Sequence, residues 1–222
     1  MRGLFLSSSD DHGMLSKFLA RATHAARCYS ALILNIFEAL ETYELQKIRD
    51  EIGTAMVLVT GPLRRLSSKT EGTAGRSGSV LMHEDRTCIE WLDMQAAGSV
   101  LYMSAGSLAC MDSGELSEVV WGLANNGQPG GQGQGDQSAP QQDVLAHHAV
   151  GGFWTHNRWN STLESVSEGC PMIYRPQFAD QMMNAGYVDV VWGIGFELKG
   201  ELERNKIAEA ILKLMKGVRG KR

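Results

Sequence analysis

Gly152-Phe-Trp-Thr-His-Asn-Arg-Trp-Asn-Ser-Thr-Leu-Glu-Ser-Val-Ser167 decides the fold of this chain. Gly152–Thr155 is an apolar run with strand character, and Ser161–Ser167 continues as a helix. Residues 155–161 therefore lie where the C-terminal end of a strand meets a helix N-terminus. The first turn of a helix leaves N–H groups without intrahelical acceptors and carries the positive end of the dipole, so such a junction is an anion site. In an open α/β sheet, ligands bind at that edge. His156 and Ser161 add side-chain donors to the backbone ones. A phosphate group suits this arrangement.

Working outward, strands and helices alternate. Toward the C-terminus come strand Met172–Tyr174, helix Asp180–Val188, strand Gly193–Leu198, and a last helix with Ile207, Ile211 and Met215 on one side and Ala208 and Leu212 beside them. Upstream, Val100–Met103 is a strand ending in the small-residue turn Ser104-Ala-Gly-Ser107. A helix capped by Asp112 or Ser113 follows, predicted to bury Leu116, Val119, Val120 and Leu123. Nearer the start, Leu15, Phe18, Leu19 and Ala22 mark one helix face. Ala31–Phe37 reads as a strand buried on both faces. Leu45, Ile48 and Ile52 mark another helix, and Ala55–Val59 a strand stopped by Gly61-Pro62. This alternation is that of an α/β protein. Two stretches interrupt it. Residues 63–86 are polar and read as exposed linker, and Gly127–Gln137, built only of Gly, Gln, Pro and Asp, reads as a tether.

The 222 residues are 43 % hydrophobic and 21 % charged, a globular composition that excludes wholesale disorder or a fibrous repeat. A net charge of −4 argues against an electrostatic nucleic-acid footprint, and the basic end Lys216–Arg222 reads as a solvated terminus. The opening Met1-Arg-Gly-Leu-Phe-Leu lacks the ~7–15 apolar residues of a signal peptide. No apolar run approaches the ~20 residues that span a bilayer. Cys28, Cys88, Cys110 and Cys170 form no CxxC pair, so spacing encodes neither a zinc site nor a disulfide framework. These features predict a reduced, cytoplasmic chain.

The stretch Ser138–Gln181 resembles the signature box of the plant secondary-product UDP-glycosyltransferases. It runs Ser-Ala-Pro-Gln-Gln-Asp-Val-Leu-Ala-His-His-Ala-Val-Gly-Gly-Phe-Trp-Thr-His-Asn-Arg-Trp-Asn-Ser-Thr-Leu-Glu and continues to Gly-Cys-Pro-Met-Ile-Tyr-Arg-Pro-Gln-Phe-Ala-Asp-Gln. Ile33-Leu-Asn, Gly61-Pro-Leu, Glu90-Trp-Leu-Asp, Gly98-Ser-Val-Leu-Tyr and Gly114-Glu-Leu extend the resemblance over most of the chain. It implies a Rossmann-like donor domain over residues 97–222, the C-terminal half of a GT-B fold, after a remnant of an acceptor-binding domain at 1–62 and a linker at 63–96. The implied reaction moves glucose from UDP-glucose to a hydroxyl of a small, for example phenolic, plant metabolite. UDP-glucose is then a co-substrate, and neither a cofactor nor a metal is implied.

By this resemblance Gln141 approaches the uracil, Glu164 holds the ribose hydroxyls, and His156 and Ser161 serve the phosphates. Asp180 and Gln181 hold sugar hydroxyls, and Trp159 lines the sugar pocket. Ser107, Ala139 and Asn160 complete the implied donor-binding set. Each has a plainer rival. Ser161-x-x-Glu164 is also a capping box, Asp180 can cap its own helix, His147 and His148 read as helix-end residues, and Met182 and Met183 as core filler with Tyr187.

The chain departs from the family pattern in four respects. Ser138 replaces an aromatic residue that stacks on the base, a loss of ~1–3 kcal/mol. Arg158 replaces a glycine in the phosphate cradle, where its guanidinium either obstructs the diphosphate or pairs with it; Arg158→Gly is predicted to tighten UDP binding, because the cradle regains close backbone approach. Asn157 stands where cysteine is usual. The Gly127–Gln137 tether stands where the family has two edge strands and a helix, a loss that leaves the remaining sheet contiguous. Lastly, the resemblance begins after the family's general base, a His oriented by an Asp. His12, between Asp10 and Asp11, reads as a helix start instead, so no catalytic residue is assigned and transfer is expected to be impaired.

Overall fold

The computed structural model describes residues 17, 20–53, 56–62, 86–104, 111–124, 139–177 and 180–219. The chain divides into two compact units, residues 1–76 and 77–222. Among the described residues no helix is long and apolar enough to cross a membrane. The stripe residues Leu15, Phe18 and Leu19, Ser107, Cys110, the tether at 127–137 and Ser138 lie outside the described residues.

In the first unit, strands β1 (Ala31–Leu34) and β2 (Met56–Val59) pair in parallel, Ala31 beside Met56 and Leu34 beside Val59. Helix α1 (Thr42–Ile52) connects them and buries Leu45 completely. The expected strand buried on both faces is instead one-sided. Burial alternates along β1 and β2, and Ile33 and Met56 are 63 % and 59 % exposed. A period-2 strand shows both faces to the core only when layers cover both, and the described part of this unit supplies one.

The second unit opens with α2 (Thr87–Asp93), inside the span expected as linker; Cys88 and Leu92 are buried in the core. Then follow β3 (Val100–Ser104), α3 (Ser113–Ala124), α4 (Gln141–Ala146), β4 (Val150–Thr155), α5 (Trp159–Ser167), β5 (Met172–Tyr174), α6 (Asp180–Gly186), a π-helical turn at Tyr187–Val191, β6 (Gly195–Glu197) and α7 (Arg204–Arg219). The sheet is parallel with strand order β3-β4-β5-β6. β3 pairs directly with β4, so the sheet is contiguous, as the sequence reading requires.

Alternation along the central strands divides the core. Phe153, Met172 and Tyr174 face a cluster containing Cys88, Leu92, Val144, Leu145 and Val188. Trp154 and Ile173 face a second one, with Val119, Leu198, Ile207, Ile211 and Leu214. Both faces of β4 and β5 are thus covered, the usual condition of a parallel sheet. At the start of β4 the register shifts: Val100 pairs with Val150 and Leu101 with Gly152, so Gly151 is the bulged residue. A side chain there would meet the Gly98 carbonyl oxygen at 2.4 Å from its Cβ, which leaves room only for glycine.

Asp112 caps α3 as expected: its Oδ1 accepts the Glu115 N–H at 2.8 Å. The predicted core face of α3 is narrower than the sequence suggests. Val119 is buried and Leu123 partly so, but Leu116 and Val120 are 51 % and 56 % exposed. Gly122, not an apolar side chain, lets α7 approach closely, with Ile207 against it. Glu118 fastens the same pair of helices, taking the Arg204 backbone N–H at 2.8 Å and its guanidinium at 2.5 Å, which holds its carboxyl down to about 2. On α7, Ile207 and Ile211 are buried with Met215 packed partly against their cluster, and Leu214 joins them in the core.

Candidate functional site

The site is built at the β4–α5 junction. Thr155 ends β4 fully buried, and its Oγ1 accepts the Asn157 N–H at 3.1 Å. Asn157 has φ 67, and among the described non-glycine residues it alone is left-handed. Asparagine tolerates that region better than most side chains. Two bonds lock the turn: Asn157 Oδ1 accepts from Thr162 Oγ1 at 2.9 Å, and the Asn157 carbonyl accepts from Asn184 Nδ2 at 3.0 Å. Arg158 then takes the N-cap place in an extended conformation, φ −68 and ψ 153, with no side-chain cap bond.

The missing cap comes from another helix. Asp180 Oδ2 accepts the Trp159 N–H at 3.0 Å and Asn184 Nδ2 at 3.1 Å. A carboxylate on the first helical N–H satisfies an orphan donor and complements the dipole. Asp180 thus caps α5 rather than its own helix. The capping-box reading of Ser161-x-x-Glu164 also fails. α5 opens at Trp159, ahead of Ser161, and Glu164 accepts side-chain amides: Gln141 Nε2 on Oε2 at 2.7 Å and Gln142 Nε2 on Oε1 at 3.3 Å. Gln141 Nε2 also donates to Ser161 Oγ at 3.2 Å.

At the turn itself two buried nitrogens have no hydrogen-bond partner among the described residues, His156 Nδ1 and Asn157 Nδ2. His156 is 8 % exposed and Asn157 0 %. An unsatisfied buried polar group costs about 1–3 kcal/mol, which an acceptor-rich ligand recovers. Burial pushes the His156 imidazole below its ordinary range, and the Arg158 charge adds to this; the Ser104 backbone and Asp180 act in the opposite direction. The buried Asn157 amide nitrogen, the first turn of α5 and the Arg158 cation together make this turn rich in donors.

The structure gathers most of the expected residues and separates the rest. Gln141, Ser161 and Glu164 form one hydrogen-bonded group, and Trp159 joins Asp180 and Asn184 in another; His156 feels the Asp180 charge without a hydrogen bond to it. Asn160 is exposed on the first turn of α5, and Ala139 packs on the core. Gln181 is fully buried, and its Oε1 accepts the Gln177 N–H at 2.8 Å. His147 closes α4 as expected, with Nε2 3.1 Å from Asp93 Oδ1 and Nδ1 accepting the Ala149 N–H. Met182 and Met183 are not core filler; they are 45 % and 65 % exposed. Asp180–Val188 is not one α-helix either, because the π turn begins at Tyr187.

Four residues escaped the sequence reading: Asn157 as the pivot of the turn, Thr162, Asn184, and Trp192, whose ring lies 6.3 Å from Trp159 and 5.6 Å from Tyr187. Only Asn157 carried a local signal, its place between a strand end and a helix start.

Residues 136–221 match the family model described as UDP-glucoronosyl and UDP-glucosyl transferase. DIMBOA UDP-glucosyltransferase BX8 of Zea mays is 43 % identical over 226 residues, covering 90 % of this chain and 48 % of that protein. UDP-glycosyltransferase 76B1 of Arabidopsis thaliana is 40 % identical over 218 residues, covering 86 % and 47 %. Among solved structures, Os79 of O. sativa in complex with UDP aligns with TM-score 0.74 and 27 % identity over 89 % of this chain and 49 % of that one. Phytolacca americana UGT2, complexed with UDP-2fluoro-glucose and pterostilbene, aligns with TM-score 0.70 and 29 % identity over 88 % and 48 %. The chain spans about half the length of the relatives it matches.

Proposed function

Because the chain belongs to the UDP-glucoronosyl and UDP-glucosyl transferase family, as one of its plant members, we propose that its second unit binds UDP-glucose for glucosyl transfer to a hydroxyl of a small plant metabolite. One observation carries this reading: His156 Nδ1 and Asn157 Nδ2 lie buried and unsatisfied at a helix start that already offers backbone donors. Diphosphate oxygens supply the acceptor that Asn157 Nδ2 lacks, and that of His156 Nδ1 when the ring carries a proton there. Asp180, with one oxygen engaged by Trp159 and Asn184, offers the other to a sugar hydroxyl. Glu164 takes the ribose hydroxyls once the Gln141 and Gln142 amides give way, which sends Gln141 toward the uracil.

On this reading the protein's own dipoles and side chains meet the developing charge on UDP, and fixed donors lower the barrier to its departure. UDP-glucose is a co-substrate. Ser138 forgoes a base stack of ~1–3 kcal/mol, which weakens the hold on the donor. The first unit corresponds to acceptor-side structure. We place the protein in the cytoplasm, in keeping with Cys28, Cys88 and Cys170 as thiols.

Calorimetric titration with UDP and UDP-glucose, then incubation with UDP-glucose and a simple phenol, tests the proposal. Turnover that disappears in His156→Ala supports the enzyme. Binding without turnover leaves a non-catalytic UDP-binding protein of the same lineage. No complex at millimolar ligand removes the donor reading altogether.

A further inference from the structure

We infer that Asn184 is a positioning residue that couples the sugar-binding carboxylate to the phosphate-binding turn, an inference that rests on the donor reading above. Its side-chain nitrogen carries two N–H groups. One goes to Asp180 Oδ2 at 3.1 Å and the other to the Asn157 carbonyl at 3.0 Å. Asn184 is 7 % exposed, so neither bond is exchanged cheaply for water.

Asp180 lies one helical turn before Asn184 on α6, while Asn157 belongs to the β4–α5 turn. A single planar amide therefore sets the spacing between two elements that approach neighbouring parts of a nucleotide sugar, its sugar and its diphosphate. The Trp159 N–H, on the same Asp180 oxygen, closes the ring from the α5 side. Asp180 is itself exposed, and without the ring its carboxylate is left to sample several rotamers. Held in the ring, it presents its second oxygen in one place, which is the preorganisation a weakly held hydroxyl needs. The consequence is specific. Loss of Asn184 harms recognition of the glucose more than recognition of the diphosphate, although the residue touches neither.

The test compares UDP with UDP-glucose on the full chain by calorimetry, beside thermal melts that establish folding. Asn184→Leu keeps the shape and removes both bonds. The expected result is a fall in UDP-glucose affinity about tenfold larger than the fall in UDP affinity, in a protein that still melts cooperatively. Asn184→Asp sets a second carboxyl against Asp180. Its UDP-glucose affinity, relative to UDP, recovers as pH is lowered, because the pair regains the hydrogen bond when it shares a proton. Equal losses for both ligands, or a pH-independent ratio in Asn184→Asp, overturn the inference alone. A parent chain that binds neither ligand overturns the donor reading and this inference with it.

Discussion

The Trp159 N–H donates to Asp180 Oδ2 at 3.0 Å, so the helix that follows the β4–α5 turn is capped by a carboxylate from another helix. A cap supplied by a second helix gives Asp180 a structural role beside the sugar-binding one proposed for it. Asp180→Ala removes acceptor and charge together and is expected to cost about 1 kcal/mol of stability in urea unfolding. Asp180→Asn keeps an acceptor and costs less. Both variants lose UDP-glucose affinity, and a stability loss without any change in that affinity would confine Asp180 to capping.

Asn157 sets a second trade. Its left-handed backbone suits asparagine or glycine, while its Nδ2 waits for an acceptor. Asn157→Gly is expected to keep stability within about 1 kcal/mol, because the lost Thr162 bond is offset by removal of the unsatisfied nitrogen. UDP affinity falls severalfold all the same. Asn157→Ala adds a left-handed strain of about 1–2 kcal/mol, read as a lower urea midpoint than that of the glycine variant.

His156 ties stability to pH. Burial holds its imidazole below the ordinary value of 6.5, so the native state binds fewer protons than the unfolded one in mildly acid solution. Stability is therefore full above the unfolded pKa and declines as pH falls below it toward the native value. Urea midpoints measured from pH 7.5 down to about 5 should fall in the parent chain and fall less in His156→Gln. An identical slope in both assigns the acid sensitivity to other groups.

The parallel strand-helix rhythm was legible because its signals are local: apolar runs at β4 and β5, the cap at Asp112, the periodic face of α7. What the sequence hid depends on neighbours distant along the chain. The exposure of Ile33 follows from which layers surround β1, and that of Leu116 and Val120 from how α7 approaches Gly122. Likewise the residue pattern pointed to Asp180, Glu164 and His156, but not to their mutual bonds. Asn184 could not be seen, since nothing in a helical asparagine tells that its amide bridges a carboxylate and a turn carbonyl. Composition ended the polar linker at residue 86 and the resemblance carried it to 96; α2, at Thr87–Asp93, is too short to show periodicity, and packing of Cys88 and Leu92 reveals it.

The glycines at the start of β4 should differ in tolerance. A Cβ at Gly151 meets the Gly98 carbonyl oxygen at 2.4 Å, while one at Gly152 meets Leu214 Cδ2 at 2.3 Å. Backbone cannot yield as a leucine tip can. Gly151→Ala is expected to cost about 3 kcal/mol or more and Gly152→Ala about 1 kcal/mol. Thermal melts with the same order reversed would place the bulge elsewhere.

Arg158 returns to the choice between obstruction and pairing. The structure gives Arg158 an extended backbone, φ −68 and ψ 153, which any L-residue adopts, so glycine is not needed there for conformation. Its charge acts on His156, which places the guanidinium's influence at the phosphate turn. A dianionic diphosphate arriving there meets a cation whose planar donors suit phosphate oxygens. These observations favour pairing. Arg158→Gly is then expected to weaken UDP binding about tenfold, the equivalent of about 1.4 kcal/mol. The loss should shrink as salt is raised, because the lost attraction is one that ions screen. Arg158→Lys should restore part of the affinity, keeping charge without the fork. Tighter UDP binding by Arg158→Gly, at any ionic strength, would mean instead that the side chain stands in the diphosphate's way.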